Sequence, residues 1–295
     1  IMKSGFVSLV GRPNVGKSTL LNSILERKIA ITSNVSGTTR NIIQGIYNDD
    51  EAQIVFIDTP GIHKPQNKLG TLMNKKAYTM ADDVDIILFL VDVSKGYGKG
   101  DNFILERLKE LNKPVILVMN KVDTIKKDKL LELINQYKDL YDFTEIVPLS
   151  ALKGDNVVEL IKTIKKYLNE GMKYYSDDEV TNVSRNFMLS EMVREKVLRL
   201  TKDEVPHSVT CLVEEYNEEE NSVHLRVLVI VDRDNLKKII IGKNGQMLKE
   251  IGTKARIDME EFLGKKVFLE TYVKTIDNWK DREKYLTEFG LNELE

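Results

Sequence analysis

The chain has 295 residues, 42% apolar and 31% charged, the make-up of an ordinary globular protein long enough for two domains. A net charge of −2 excludes a uniformly basic surface, though not local basic patches, and no apolar run approaches the ~20 residues of a membrane span. The single cysteine, Cys211, excludes an internal disulfide and reads as a small buried residue in a reducing, cytoplasmic setting, with no signal peptide expected.

Short runs rich in Val and Ile at 6–10, 52–57, 85–91, 115–119 and 146–149 predict buried strands, and 41–47 predicts another that turns at 48–50 into its neighbour. Between them, 17–25, 70–80, 102–111, 129–141 and 157–168 carry helical periodicity. That alternation predicts an α/β domain over 2–170, with a mostly parallel sheet covered by helices on both faces. The pattern lapses from Asn169 to Thr181, so 171–181 is read as a linker and the hinge is expected within 169–181. Residues 182–295 then run helix, strand, strand, helix, helix, strand, with helix 185–200, strands 209–216 and 223–231 about an acidic turn, and a last strand 266–275. This order predicts a smaller α+β domain with a C-terminal tail.

The first strand leads into Gly11-Arg12-Pro13-Asn14-Val15-Gly16-Lys17-Ser18-Thr19, a Gly-x-x-x-x-Gly-Lys-Ser phosphate loop. Glycines let successive N–H groups turn toward phosphate oxygens, and the next helix adds its N-terminal dipole. Lys17 supplies a cation for the β- and γ-phosphates, and the Ser18 hydroxyl is placed to ligate Mg²⁺. Asp58-Thr59-Pro60-Gly61 ends a buried strand, where Asp58 would hold Mg²⁺ through water and the Gly61 N–H would reach the γ-phosphate. Asn120-Lys121-Val122-Asp123 ends a later strand. A carboxylate there pairs with the N1–H and N2–H₂ edge of guanine, whereas adenine would leave it unpaired. Backbone N–H groups of Ser150-Ala151-Leu152 are expected at guanine O6. Thr39, in Thr38-Thr39-Arg40, is expected to close on the metal only when a γ-phosphate is present.

In the second domain, Ile239-Ile240-Ile241-Gly242-Lys243-Asn244-Gly245 places Gly-x-x-Gly between two helices, where a nucleic-acid backbone can approach closely. Lys243 supplies charge and Asn244 a hydrogen-bonding group. Ile240, Ile241, Met247 and Ile251 are candidates for an apolar groove floor or for the core. Arg233, Lys237 and Lys254 are candidate backbone contacts, while Lys249 reads as a solvated helix face. Trp279 is read either as a base-stacking platform or as packed onto the domain.

These motifs, with Asp58 to His63, Glu204 to Ser208 and Tyr272 to Lys274, make the chain resemble the Era family, whose members join a Ras-like GTPase domain to a type II KH domain. The resemblance implies GTP hydrolysis, binding of 16S rRNA near its 3′ end, and assistance to 30S subunit maturation by a monomer, with peripheral contact at the inner membrane face. It also implies a potassium ion beside the phosphates with Asn14 as a ligand; the alternative reading is an Asn chosen for turn geometry. Ile62 stands where Ras-like proteins usually carry the Gln that orients water, so slow basal hydrolysis is expected. His63 is the nearest titratable group, read as a weak catalytic candidate or as a loop residue. The competing reading of the whole is a signalling or cell-cycle GTPase whose second domain binds a protein.

Overall fold

A computed structural model describes residues 1–32, 40–202 and 205–291. Thr38 and Thr39, expected at the metal, lie outside the described residues, as does Glu204. In the first domain, β1 (Lys3–Gly11), β2 (Ile43–Asn48), β3 (Ala52–Asp58), β4 (Ile86–Asp92), β5 (Val115–Asn120) and β6 (Glu145–Pro148) form one sheet in the order β2-β3-β1-β4-β5-β6. Only β2 pairs antiparallel, because the tight 49–51 turn joins it directly to β3.

Alternation along the strands decides which face each side chain covers. Val7, Leu9, Ile86, Leu88, Leu90, Ile116 and Val118 pack with α1 (Lys17–Leu25) and α5 (Val157–Tyr167). Their neighbours Val10, Ile87, Phe89, Val91, Leu117 and Met119 pack on the other face with α2 (Lys68–Asp82), α3 (Lys99–Leu108) and α4 (Lys127–Lys138). Helix α3 begins a turn earlier than its apolar period indicates. The Asp101 carboxylate accepts from the Gly98 N–H at 2.9 Å and starts the helix there.

The second domain contains α6 (Arg185–Leu200), β7 (Thr210–Glu218), β8 (Ser222–Val231), α7 (Asp234–Ile241), α8 (Gln246–Leu263) and β9 (Lys266–Thr275), followed by α9 (Glu283–Glu288). Its sheet has the order β7-β8-β9, with the first pair antiparallel and the second parallel. Cys211 is buried in its core, and burial pushes the thiol well above its usual range.

The expected hinge is strapped to the first domain. Ile46 N donates to Val180 O at 2.8 Å, and the buried Gln53 side chain accepts from the N–H groups of Tyr174 and Tyr175. The two domains also share an apolar cluster: Leu69 and Met73 of α2 pack with Ile230, Trp279, Leu286 and Phe289.

Candidate functional site

The phosphate loop spans the turn between β1 and α1. Gly16 has φ +100°, and a Cβ there would lie 2.2 Å from Asn120 Nδ2, so only glycine fits. Asn14 has φ +67°, a conformation Asn tolerates well. The loop curls around Lys17, whose ammonium donates to Gly11 O at 3.3 Å and Arg12 O at 3.2 Å. Burial lowers Lys17 to about 8, against the opposing charge of Asp58.

Burial likewise pushes Asp58 up to about 6, opposed by Lys17 and by the hydrogen bond from Ser18. Ser18 Oγ donates to Asp58 Oδ2 at 2.5 Å, and Asp58 Oδ1 is buried without a hydrogen-bond partner. A hydroxyl beside a carboxylate with one unsatisfied oxygen suits a hard divalent cation, so the expected Mg²⁺ donors fit. Gly61 presses on the phosphate loop: a Cβ would come within 2.8 Å of Pro13 N and Cα. Ile62 N donates to Gly11 O at 3.0 Å while its side chain is buried in the apolar cluster under the sheet. That position therefore serves the core, with no polar atom to orient water.

At the base end, Asn120 Nδ2 donates to Val15 O at 2.7 Å, and its Oδ1 accepts from Lys121 N and Ala151 N. Lys121 Nζ donates to Asn14 O at 2.7 Å and to Asp92 Oδ2 at 2.9 Å. Asp123 is exposed in a short 3₁₀ turn, open to a base. Ser150 N–H is taken by Asp155 O and Ala151 N–H by Asn120, so two of the three amides expected at guanine O6 are engaged within the protein. Sequence reasoning missed Asp92. Its signal was a carboxylate ending an apolar strand, level with Asn120 in the sheet.

His63 Nδ1 lies 3.0 Å from Lys64 O, and its backbone is fastened by Asn74. It lines a cleft of about 490 Å³ between the domains with Arg40, His207, Arg233 and Lys280. Arg233, expected at the RNA groove, thus faces the domain junction.

In the second domain, Gly242 and Gly245 have φ +75° and +73°, and the Lys243 and Asn244 side chains project into solvent. A Cβ at Gly242 would collide with Met247 N at 2.9 Å. Ile241 and Met247 are half-buried beside the loop, Lys237 is half-buried, and exposed Lys254 pairs with Glu250 at 3.2 Å. Two sequence expectations need correction. Ile240 and Ile251 are wholly inside the core and cannot floor a groove. Trp279 is also fully buried: its Nε1 donates to Ser208 O at 2.9 Å and its ring meets Phe289 edge-on, so no base can stack on it. Below the glycines, Leu248, Lys249, Gly252, Thr253 and Arg256 of α8 face Leu269 and Thr271 across a groove of about 300 Å³. Their spacing of three and four residues was the available signal, and it places Lys249 on the groove rather than on an idle face.

Residues 6–121 match the family described as 50S ribosome-binding GTPase, and residues 204–280 match the KH domain family. Over 99% of this chain and 100% of the other, the fold superposes at a TM-score of 0.96 and 45% identity on Era in complex with MgGDPNP and nucleotides 1506–1542 of 16S ribosomal RNA. An Aquifex aeolicus Era variant bound to GDP·AlF4⁻ gives 0.95 and 44%, again over 99% and 100% of the two chains. A match of that quality across both domains includes their relative placement.

Proposed function

The chain belongs to the Era family of GTPases, and from that premise we propose that it is a GTP-hydrolysing switch that binds 16S rRNA near its 3′ end and assists 30S subunit maturation. The observation that carries the reading is one chain holding both a phosphate loop closed by Asp58 and Gly61 and an exposed Gly242–Gly245 loop above a groove, arranged as in Era bound to a GTP analogue and rRNA.

Lys17 and the loop amides bind the phosphates; Ser18, with Asp58 through water, would hold Mg²⁺, which would supply positive charge against the phosphate oxygens. Asp123 selects guanine. Gly61 meets the γ-phosphate, and Thr39 joins it there. With Ile62 in the core, water must be positioned by other groups, and the basal rate is slow. Asn14 is the proposed ligand for a potassium ion, which predicts faster turnover in potassium than in sodium buffer. Lys243, Asn244, Ile241 and Met247 meet single-stranded RNA. No helix among the described residues is long and apolar enough to cross a membrane; the reading has the chain acting as a cytoplasmic monomer, with peripheral contact at the inner membrane face.

The deciding experiment is fluorescence anisotropy with a short RNA from the 3′ end of 16S rRNA and a scrambled control, each with GDP and with a non-hydrolysable GTP analogue. Tighter, sequence-selective binding with the analogue is expected. Equal weak binding of both RNAs in both states would remove the ribosomal assignment and point to a protein partner.

A further inference from the structure

Helix α8 carries a glycine that its own packing does not require. Gly252 lies in the interior of Gln246–Leu263, where glycine weakens a helix relative to alanine. Its backbone is helical rather than left-handed, and a Cβ built on it would meet no atom within 4 Å. Neither a backbone angle nor a neighbouring atom therefore excludes a side chain there. Gly70 and Gly100, the other glycines within the described α-helices, both lie in a first turn. A Cβ at Gly100 would come within 2.5 Å of Arg12 Cδ, so that glycine has a packing reason. Gly252 has none, and the remaining use of a bare helix backbone is close approach by a ligand.

The open space at Gly252 belongs to the groove below the Gly242–Gly245 loop. Gly245, Lys249, Gly252 and Arg256 line that groove at spacings of three and four residues, one stripe of the helix. Half-buried Leu248 and Leu269 flank the notch with apolar surface. The facing strand, β9, is at the edge of its sheet and pairs with β8 alone. Val267 N donates away from the sheet to Glu260 Oε2 at 3.2 Å, and the alternation of a parallel strand turns the Leu269 and Thr271 amides the same way. A flat apolar floor beside outward-facing main-chain groups suits a nucleobase better than a phosphate. One turn beyond Gly252, Arg256 Nη1 donates to Glu260 Oε1 at 2.5 Å. Glu260 thereby joins the guanidinium to the start of β9 and holds it at the groove.

We propose that Gly252 and Arg256 form a base-selective seat: one nucleobase of a single strand lies against the bare helix at Gly252, and Arg256 reads two adjacent acceptors on its edge. This rests on the function proposed above, in which the groove takes single-stranded RNA. The class of base follows from the chemistry of the guanidinium, which carries donors only. Guanine offers N7 and O6 side by side, and cytosine offers N3 and O2. Adenine and uracil set a donor next to each acceptor, so one donor of Arg256 would face another. The seat therefore takes cytosine or guanine and rejects adenine and uracil.

The test uses the full chain with a non-hydrolysable GTP analogue bound, and fluorescence anisotropy of a labelled short RNA from the 3′ end of 16S rRNA. A series of these RNAs carries each of the four bases at each position in turn, and thermal melts accompany the titrations. Gly252→Ala is expected to melt at or above the parent, because alanine favours a helix and meets nothing there. It should nevertheless bind the RNA about tenfold more weakly, the loss of one base contact. In the parent, one position of the series should favour cytosine or guanine over adenine and uracil, and the winner identifies the base. Arg256→Gln should remove that preference and leave those at other positions. A Gly252→Ala chain that binds RNA as the parent does, or that melts below it, overturns the proposal. So does a parent without such a position, or a preference that survives Arg256→Gln. If Arg256→Gln unfolds, Arg256→Lys decides in its place, since it keeps the charge opposite Glu260 and loses the forked donors. A parent that binds 3′-end RNA no better than scrambled RNA refutes the underlying function instead, so the two failures are distinguishable.

Discussion

Asn120 donates to the carbonyl of Val15 at 2.7 Å, and this contact ties the base-reading loop to the phosphate loop across 105 positions of sequence. The same side chain accepts from Ala151 N, so it joins three loops with one amide. Asn120→Ala would leave Val15 O and Ala151 N buried without partners, costing about 1–3 kcal/mol for a group so stranded. Thermal melts should show the loss, and titration with fluorescent GDP should show at least about tenfold weaker binding. Unchanged affinity would mean that the three loops hold together by other contacts.

Guanine selectivity is assigned to Asp123, which is exposed and ready for a ligand. Asp123→Asn replaces an acceptor-only group with one that also donates, which suits the carbonyl that xanthine carries at C2. Competition between GTP and XTP should reverse in favour of XTP. Retained GTP preference would move base recognition elsewhere.

Gly61 and Pro13 touch so closely that a methyl group cannot enter between them. Gly61→Ala should push the Asp58–Gly61 loop off the phosphate loop. Because Gly61 is assigned to the γ-phosphate, the loss should fall on GTP-analogue affinity and on turnover, with GDP affected less. Comparing the two dissociation constants checks this, and an equal loss would assign Gly61 to the shared phosphates.

The parts that the sequence made legible are those where local chemistry is sufficient. Gly16, Lys17 and Ser18 sit at a strand-to-helix turn that any reader of glycine spacing can place, and Gly242 and Gly245 repeat the same logic in the second domain. What failed was burial. Ile240 and Ile241 are adjacent and chemically identical, yet helical rotation puts the first wholly in the core and leaves the second half-buried next to the Gly242–Gly245 loop. Trp279 next to Lys280 looked like a stacking platform because nothing local says that Ser208 and Phe289 enclose it. The strapping of 169–181 was hidden for a related reason. It depends on Gln53, a polar residue in an otherwise apolar strand, whose partners lie more than a hundred residues away.

Trp279 gives a direct check on that correction. Trp279→Ala should cost about 3–5 kcal/mol, as large-to-small changes in cores do, and lower Tm accordingly. The paired change Lys243→Asp with Asn244→Asp should do the reverse, abolishing RNA binding while leaving Tm unchanged, because both side chains are in solvent. A Trp279 variant that melts normally but loses RNA would restore the stacking role.

A charge cluster around Glu195 of α6 sets a pH window for the junction between the domains. Burial alone would raise the Glu195 carboxyl, but hydrogen bonds from Lys28, Thr32 N–H and Lys196, with the charge of Lys28, outweigh it and hold the group below the usual carboxylate range. Asp258 is held down in the same way by Lys196 and Lys28, and Arg199 adds a further cation facing Glu195. A carboxylate depressed in the folded state contributes stability above its unfolded value, about 4.3 for Glu, and loses it as pH falls through the lower folded value. The parent should therefore lose Tm on acidification from pH 7 to below pH 4 more steeply than Glu195→Gln, which has no carboxyl there to protonate. The gap between the two melting curves should be widest near neutrality and close in acid. A gap that stays constant across this range would mean that Glu195 acts at the junction through hydrogen bonding alone, with its charge contributing nothing.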